Sequence, residues 1–191
     1  MSEVQRNNEG GFTVVELLVG ALIGLIILGV AFSMFNVQRK TFSIQEQLSE
    51  MHQNVRAAMD MMVREVRMAG YDPADVGFVG IGGNTATSIQ VLADLDGNGA
   101  IAGSETVTYS YDALNLQIDR NIGGGGQPLA ENIANLNFSY FDANDNVAVA
   151  ASNIRKIQIA ITGRTAKIDP RTGIFEFGTQ TSFVTPKNLG Y

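Results

Sequence analysis

Residues Phe12 to Phe35 read FTVVELLVGALIGLIILGVAFSMF, a run interrupted by one charge, Glu16. No other feature of the chain restricts its fold as strongly. As a helix at 1.5 Å per residue the run spans about 36 Å, enough to cross a hydrocarbon core of ~30 Å. Its place near the N-terminus and its lack of breaks favour a membrane span over a buried core helix. A cleaved secretory signal fits badly. The polar residues before the run carry Glu3 and Glu9 as well as Arg6, the run is long, and no small-residue cleavage site closes it.

The helical pattern continues beyond Phe35. Ile44, Leu48, Met51, Val55, Ala58, Met62, Val66 and Ala69 recur at spacings of three or four, a one-sided stripe. Gln45, Glu46, Gln53, Asn54, Arg56, Asp60 and Arg64 fill the other faces. Gly70 supplies a helix C-cap, and Asp72-Pro73 blocks further helix. The pattern predicts one helix of about 58 residues over 12–69, apolar all round in its first half and amphipathic in its second. The first half suits lipid or other helices in lipid. The second suits a globular body.

Composition narrows what that body can do. The chain has 191 residues, 13 Lys+Arg and 19 Asp+Glu, a formal net charge of −6, and no basic runs, which argues against nucleic acid as a partner. Cysteine is absent, which removes disulfides, thiolate metal sites and cysteine nucleophiles. His52 is the single histidine, so no histidine-rich metal site can form and a Ser-His-Asp triad is improbable. No nucleophile–base set can be assembled, so an enzyme is not expected.

Residues 71–191 read as a β-rich head. Strand-like runs are Ser88–Ala93, Thr106–Tyr111, Leu114–Asp119, Leu136–Phe141, Ile154–Thr162 and Ile174–Val184. Turns fall at Asp112-Ala113, Gly123–Gly126, Asp142–Asn146 and Asp169–Gly173. No long helical stretch separates the strands. The expectation is an α+β fold, an antiparallel sheet packed on the amphipathic half of the long N-terminal helix.

Glu16 lies one turn into the apolar helix. A charge in hydrocarbon is costly unless paired, so it is a functional candidate by position. Its surroundings, Gly10-Gly11-Phe12-Thr13-Val14-Val15-Glu16-Leu17-Leu18, resemble the class III leader of type IV prepilins and type II secretion pseudopilins. That pattern is a short polar leader ending in Gly, then Phe-Thr, then Glu at the fifth position of the mature chain, then a long apolar helix. Arg64-Glu-Val-Arg67-Met-Ala-Gly-Tyr-Asp72, Leu129–Leu136, Asn153–Arg164 and Pro186–Tyr191 are similar to the corresponding stretches of PilW-type minor pilins. Unlike the usual basic leader, residues 1–11 sum to −1.

The resemblance implies four zones: leader 1–11, transmembrane helix half 12–35, amphipathic helix half 36–70 and periplasmic head 71–191. It implies that prepilin peptidase cuts between Gly11 and Phe12 and methylates the new amine. It implies a single-pass subunit of the bacterial inner membrane that helps initiate or cap a pilus. Its partners would be other minor and major pilins, the peptidase and the inner-membrane assembly platform. Glu16 would face the Phe12 amine of a neighbouring subunit, each charge offsetting the desolvation of the other. Gly20-Ala-Leu-Ile-Gly24 adds a small-xxx-small face for close helix contact. A minor pseudopilin of a type II secretion system shares most of these features. A membrane-anchored calcium-dependent adhesin module is the reading from another class.

The calcium expectation rests on residues 94–105, Asp-Leu-Asp-Gly-Asn-Gly-Ala-Ile-Ala-Gly-Ser-Glu, a full match to D-x-[DN]-x-[DN]-G-x₅-E. Calcium takes six to eight hard oxygens. Asp94, Asp96 and Asn98 offer side-chain oxygens, Ala100 a carbonyl and Glu105 a bidentate carboxylate, while Gly99 permits the sharp turn. Ala102 at the ninth position leaves a place for water. The flanks look like strands, so the expected role is structural and not that of a helix–loop–helix sensor. A polar hairpin loop is the plainer alternative, since Asp-Gly and Asn-Gly are turn dipeptides in their own right.

Other signals carry less. Gly123–Gly126 lacks the Lys-Ser/Thr of a phosphate loop and reads as a flexible turn. Met51, Met59, Met61, Met62 and Met68 read as packing against the sheet. His52 reads as a surface residue, and Asp72 and Asp75 as loop formers. Arg64 and Arg67 complement the helix dipole and could also meet a partner.

Overall fold

The computed structural model of the chain describes residues 10–189. The leader charges Glu3, Arg6 and Glu9 and the closing Gly190-Tyr191 lie outside them. Contacts divide the chain into one unit ending at Ser43 and another beginning at Ile44.

An α-helix, α1, runs Val14–Arg67, 54 residues. Among the described residues it is the one helix long and apolar enough to cross a membrane. In the first unit its apolar side chains are exposed, Val14, Leu18, Leu25 and Phe32 among them. Nothing approaches the Cβ positions of Gly20 and Gly24.

In the second unit the remainder of α1 supplies one wall of the core. Ile44, Met51, Val55, Ala58, Met59, Met62 and Val66 are buried, with Ala69 just beyond the helix. This is the predicted stripe with two changes: Met59 joins it and Leu48 is only half-buried. Met68, expected against the sheet, is 43% exposed. It lies past the helix end, where the turn carries its side chain out of the stripe. Gly70 takes φ +75°, the left-handed conformation that ends helices without a Cβ penalty.

Among the described residues eight strands form two antiparallel sheets where the pattern predicted one. The first sheet is a meander of β1 (Ile81–Gly82), β2 (Ser88–Leu92), β3 (Thr106–Asp112), β4 (Gln117–Asn121) and β5 (Gly126–Glu131), paired in that order. The second is β6 (Ile133–Phe141), β7 (Lys156–Arg164) and β8 (Phe177–Val184), also in chain order. Inward residues of both, including Ile89, Tyr109, Ile118, Leu136, Ile157, Ile159 and Ile161, meet the helix stripe in one core.

The strand pattern needs correction in several places: Ile154 and Ile174, read as strand starts, precede β7 and β8. Leu114–Asp119 is not a strand from its start: Leu114 is 95% exposed on a turn, and Leu116 sits at φ +52°. The Asp112 carboxylate accepts the Leu114 and Asn115 N–H groups at 2.8 and 3.1 Å and closes that turn. Gly126 opens β5 and does not belong to the preceding turn, and the two-residue β1 adds an edge.

Two glycines let α1 reach the second sheet. Gly163 and Gly178 are paired across β7 and β8. A Cβ on Gly163 would lie 2.7 Å from Val55 Cγ2, and one on Gly178 2.7 Å from Met51 Cε. The smallest residue therefore stands on both strands where the helix presses closest.

Candidate functional site

The first candidate locus is the start of α1. Gly11, Phe12 and Thr13 precede the helix, and Phe12 is 82% exposed. Thr13 and Glu16 close a reciprocal cap. The Glu16 N–H donates to Thr13 Oγ1 at 3.2 Å, while the Thr13 N–H and hydroxyl both donate to Glu16 Oε2 at 2.9 Å. This is the S/T-x-x-E capping box, two otherwise orphaned donors satisfied at once. Thr-Val-Val-Glu carries that signature in plain sight, and sequence reasoning passed over it because the leader pattern explained the same residues. Glu16 thus finds donors within its own chain, and Phe12 stands just outside the helix that the box begins.

The second locus, in the other unit, is the β2–β3 connection. Asp94 is fully buried and Glu105 is 7% exposed. Asp94 Oδ1 accepts the N–H groups of Gly97 at 2.8 Å and Asn98 at 3.2 Å, and Oδ2 accepts that of Gly99 at 3.0 Å. Glu105 accepts Leu95 at 2.8 Å, Asp96 at 3.3 Å and Ala102 at 3.1 Å. The Ala102 bond foremost holds the Glu105 carboxyl below the usual carboxylate range. Desolvation and the nearby Asp94 charge oppose it.

Asp96 stays exposed and accepts the Asn98 side-chain amide at 2.8 Å, and Asn98 Oδ1 accepts the Ala100 N–H at 2.7 Å. Carboxylate oxygens of Asp94, Asp96 and Glu105 lie within 4.8 Å of one another. Gly97 and Gly99 take φ +75° and +78°, the values that the tight turn requires. Three hard oxygen donors on one glycine-bent loop fit the donor chemistry of a calcium ion.

A charged cluster escaped sequence reasoning. Arg120 on β4 meets Glu65 on α1 in two bonds, Nη2 to Oε1 at 2.7 Å and Nε to Oε2 at 3.2 Å. The Tyr109 hydroxyl also donates to Glu65. Burial first, then the Glu65 carboxylate, pushes the Tyr109 hydroxyl far above its ordinary range, so it stays protonated as a donor. Glu65 and Arg120 stand 55 residues apart, and no local pattern joins them. Arg64 and Arg67, on the last helical turn, are exposed. His52 is exposed beside Gly178, and Asp72 caps its loop by accepting Val76 and Gly77 N–H groups at 3.2 and 2.8 Å.

A long N-terminal apolar helix leading into an antiparallel β head, with a Gly-Phe-Thr-x-x-Glu start, defines a type IV pilin-like prepilin, a structural class. Residues 6–32 match the prokaryotic N-terminal methylation motif. Residues 44–173 match the family of prepilin peptidase-dependent protein B, and the chain belongs to that family. No curated protein matches the chain.

Proposed function

We propose that the chain is a minor type IV pilin of the PilW kind, a structural subunit that helps initiate or cap pilus assembly. The carrying observation is the start of α1: a capped, exposed apolar helix whose single acid sits one turn in, immediately after Gly11-Phe12. Prepilin peptidase cleaves before Phe12 and methylates its amine, and the apolar half of α1 stays as a single inner-membrane span with the head in the periplasm. Lateral packing of such helices, eased by Gly20 and Gly24, builds the assembly. Glu16 sets register by exchanging its Thr13 donors for the Phe12 amine of a neighbouring pilin, minor or major, while the inner-membrane platform supplies the machinery. No catalytic step is assigned to the chain.

Mass analysis of protein extracted from membranes of cells with active peptidase tests the reading. The expected N-terminus is N-methyl-Phe12. Material that still begins at Met1 would overturn it.

Calcium is the cofactor of the same proposal. Asp94, Asp96, Asn98, the Ala100 carbonyl and Glu105 hold the ion, which offsets most of the charge of three crowded carboxylates and fixes the β2–β3 connection. Affinity in the extracellular-module range of ~10⁻⁴–10⁻³ M suffices. Calorimetric titration of the full chain in detergent micelles should give one calcium site. Asp96→Ala, at an exposed position, should weaken it by roughly tenfold or more by removing one hard ligand. Equal binding by the variant would remove the loop from the proposal.

A further inference from the structure

The sheet edges of the head are protected unequally. The first sheet ends in β1, only two residues long, and in β5, which carries Pro128 and Glu131 and pairs with β4 through a register shift. The outer side of β6 is covered. Its Phe138 N–H donates to the Ala86 carbonyl at 2.7 Å, the Tyr140 carbonyl accepts Ala148 N–H at 2.9 Å, and Phe141 bridges Val147. Short edges, proline, charge, irregular pairing and loop cover are the devices by which proteins stop an edge from recruiting another strand.

β8 has none of them. Its eight residues, Phe-Gly-Thr-Gln-Thr-Ser-Phe-Val, include no proline and no ionisable side chain. Its pairing with β7 runs in unbroken register from Phe177 to Val184. Among the described residues only β7 pairs with it, so its other side presents a free row of backbone donors and acceptors. Phe177, Thr179, Thr181 and Phe183 stand exposed on one face. These are the aromatic and β-branched types that stabilise cross-strand pairs. The Thr162 and Thr179 hydroxyls already meet at 2.8 Å across β7 and β8.

We propose that β8 is a strand-addition site, and that its occupant is an extended, uncharged segment of another polypeptide that joins the second sheet as a fourth strand. The backbone row specifies an extended chain, because a helix has no free backbone groups along its length to offer it. β8 itself carries no ionisable side chain, so an uncharged strand matches it residue for residue; the nearest cations, Lys156 and Arg164, stand on β7 at the two ends.

The order of residues in β8 supplies a probe. Phe177, Thr179, Gln180, Thr181 and Phe183 read alike in both directions. A free peptide Phe-Gly-Thr-Gln-Thr-Ser-Phe-Val, lying antiparallel on β8, therefore places Phe opposite Phe and Thr opposite Thr. Hydrogen–deuterium exchange of the full chain in detergent micelles, with and without saturating peptide, tests the site. The expected result is exchange slowed roughly tenfold or more over Phe177–Val184, with other segments unchanged. The same peptide with proline at its centre should have no effect, and the Thr179→Lys/Thr181→Lys double variant, altered only at exposed positions, should lose the protection. Circular dichroism checks that the variant is folded. No protection, protection elsewhere, or equal protection in the lysine variant would overturn the site.

Discussion

Replacing Glu16 by Ala should leave membrane insertion intact and abolish incorporation into the filament. Insertion is driven by the apolar residues around it, and removing a charge from hydrocarbon lowers the cost of that step. Incorporation is different, because in the proposed register the Glu16 carboxylate is the group that offsets the amine of a neighbouring Phe12. Glu16→Gln sharpens the experiment: it keeps the hydrogen-bonding capacity of the capping box and removes the charge. Failure of Gln together with Ala assigns the effect to charge. Membrane fractionation and recovery in sheared filaments are the two readouts, and normal recovery of the Ala variant would refute the register role.

The second large effect concerns Gly80. A Cβ on this residue would lie 2.2 Å from the Gly70 nitrogen, 2.5 Å from its Cα and 2.7 Å from Leu189 Cδ2. Two of those atoms are backbone, so no rotamer change relieves the clash. Gly70 is itself held there by its N–H bond to the Leu92 carbonyl at 2.9 Å. Gly80→Ala should therefore destabilise the head by about 3 kcal/mol or more, the upper part of the overpacking range. Gly124→Ala is the control. Nothing lies within 4 Å of its Cβ position, and exposed substitutions of this kind stay within about 0.5 kcal/mol. Urea denaturation of both variants reads the difference, and similar midpoints would show that the crossing yields more easily than the geometry implies.

The long helix was legible to within two residues at each end because its two patterns, an unbroken apolar run and then a stripe, are local. The convergence of Asp94, Asp96 and Glu105 is local too, since the three carboxylates lie within twelve consecutive residues. The strands were read less well where side chains mislead. Leu114-Asn-Leu116-Gln alternates like a strand, but Asp112 captures the backbone first and turns it. Gly-Gln-Pro-Leu-Ala-Glu lacks β-branched residues and was missed as β5, an edge strand that tolerates its proline. The division into two sheets, the Glu65–Arg120–Tyr109 cluster and the glycine pair beneath Met51 and Val55 depend on contacts between distant residues. No window along the chain contains them.

The final segment of the head lies on the spot where α1 ends. The Lys187 N–H donates to the Arg67 carbonyl at 3.2 Å, and Leu189 packs over Gly70 and Gly80. An affinity tag or fluorescent fusion attached just after these residues would hang from that seam and could pry it open under load. The glycine-rich turn between β4 and β5, open to solvent and remote in sequence from the seam, is the better place for a label in any imaging or force experiment.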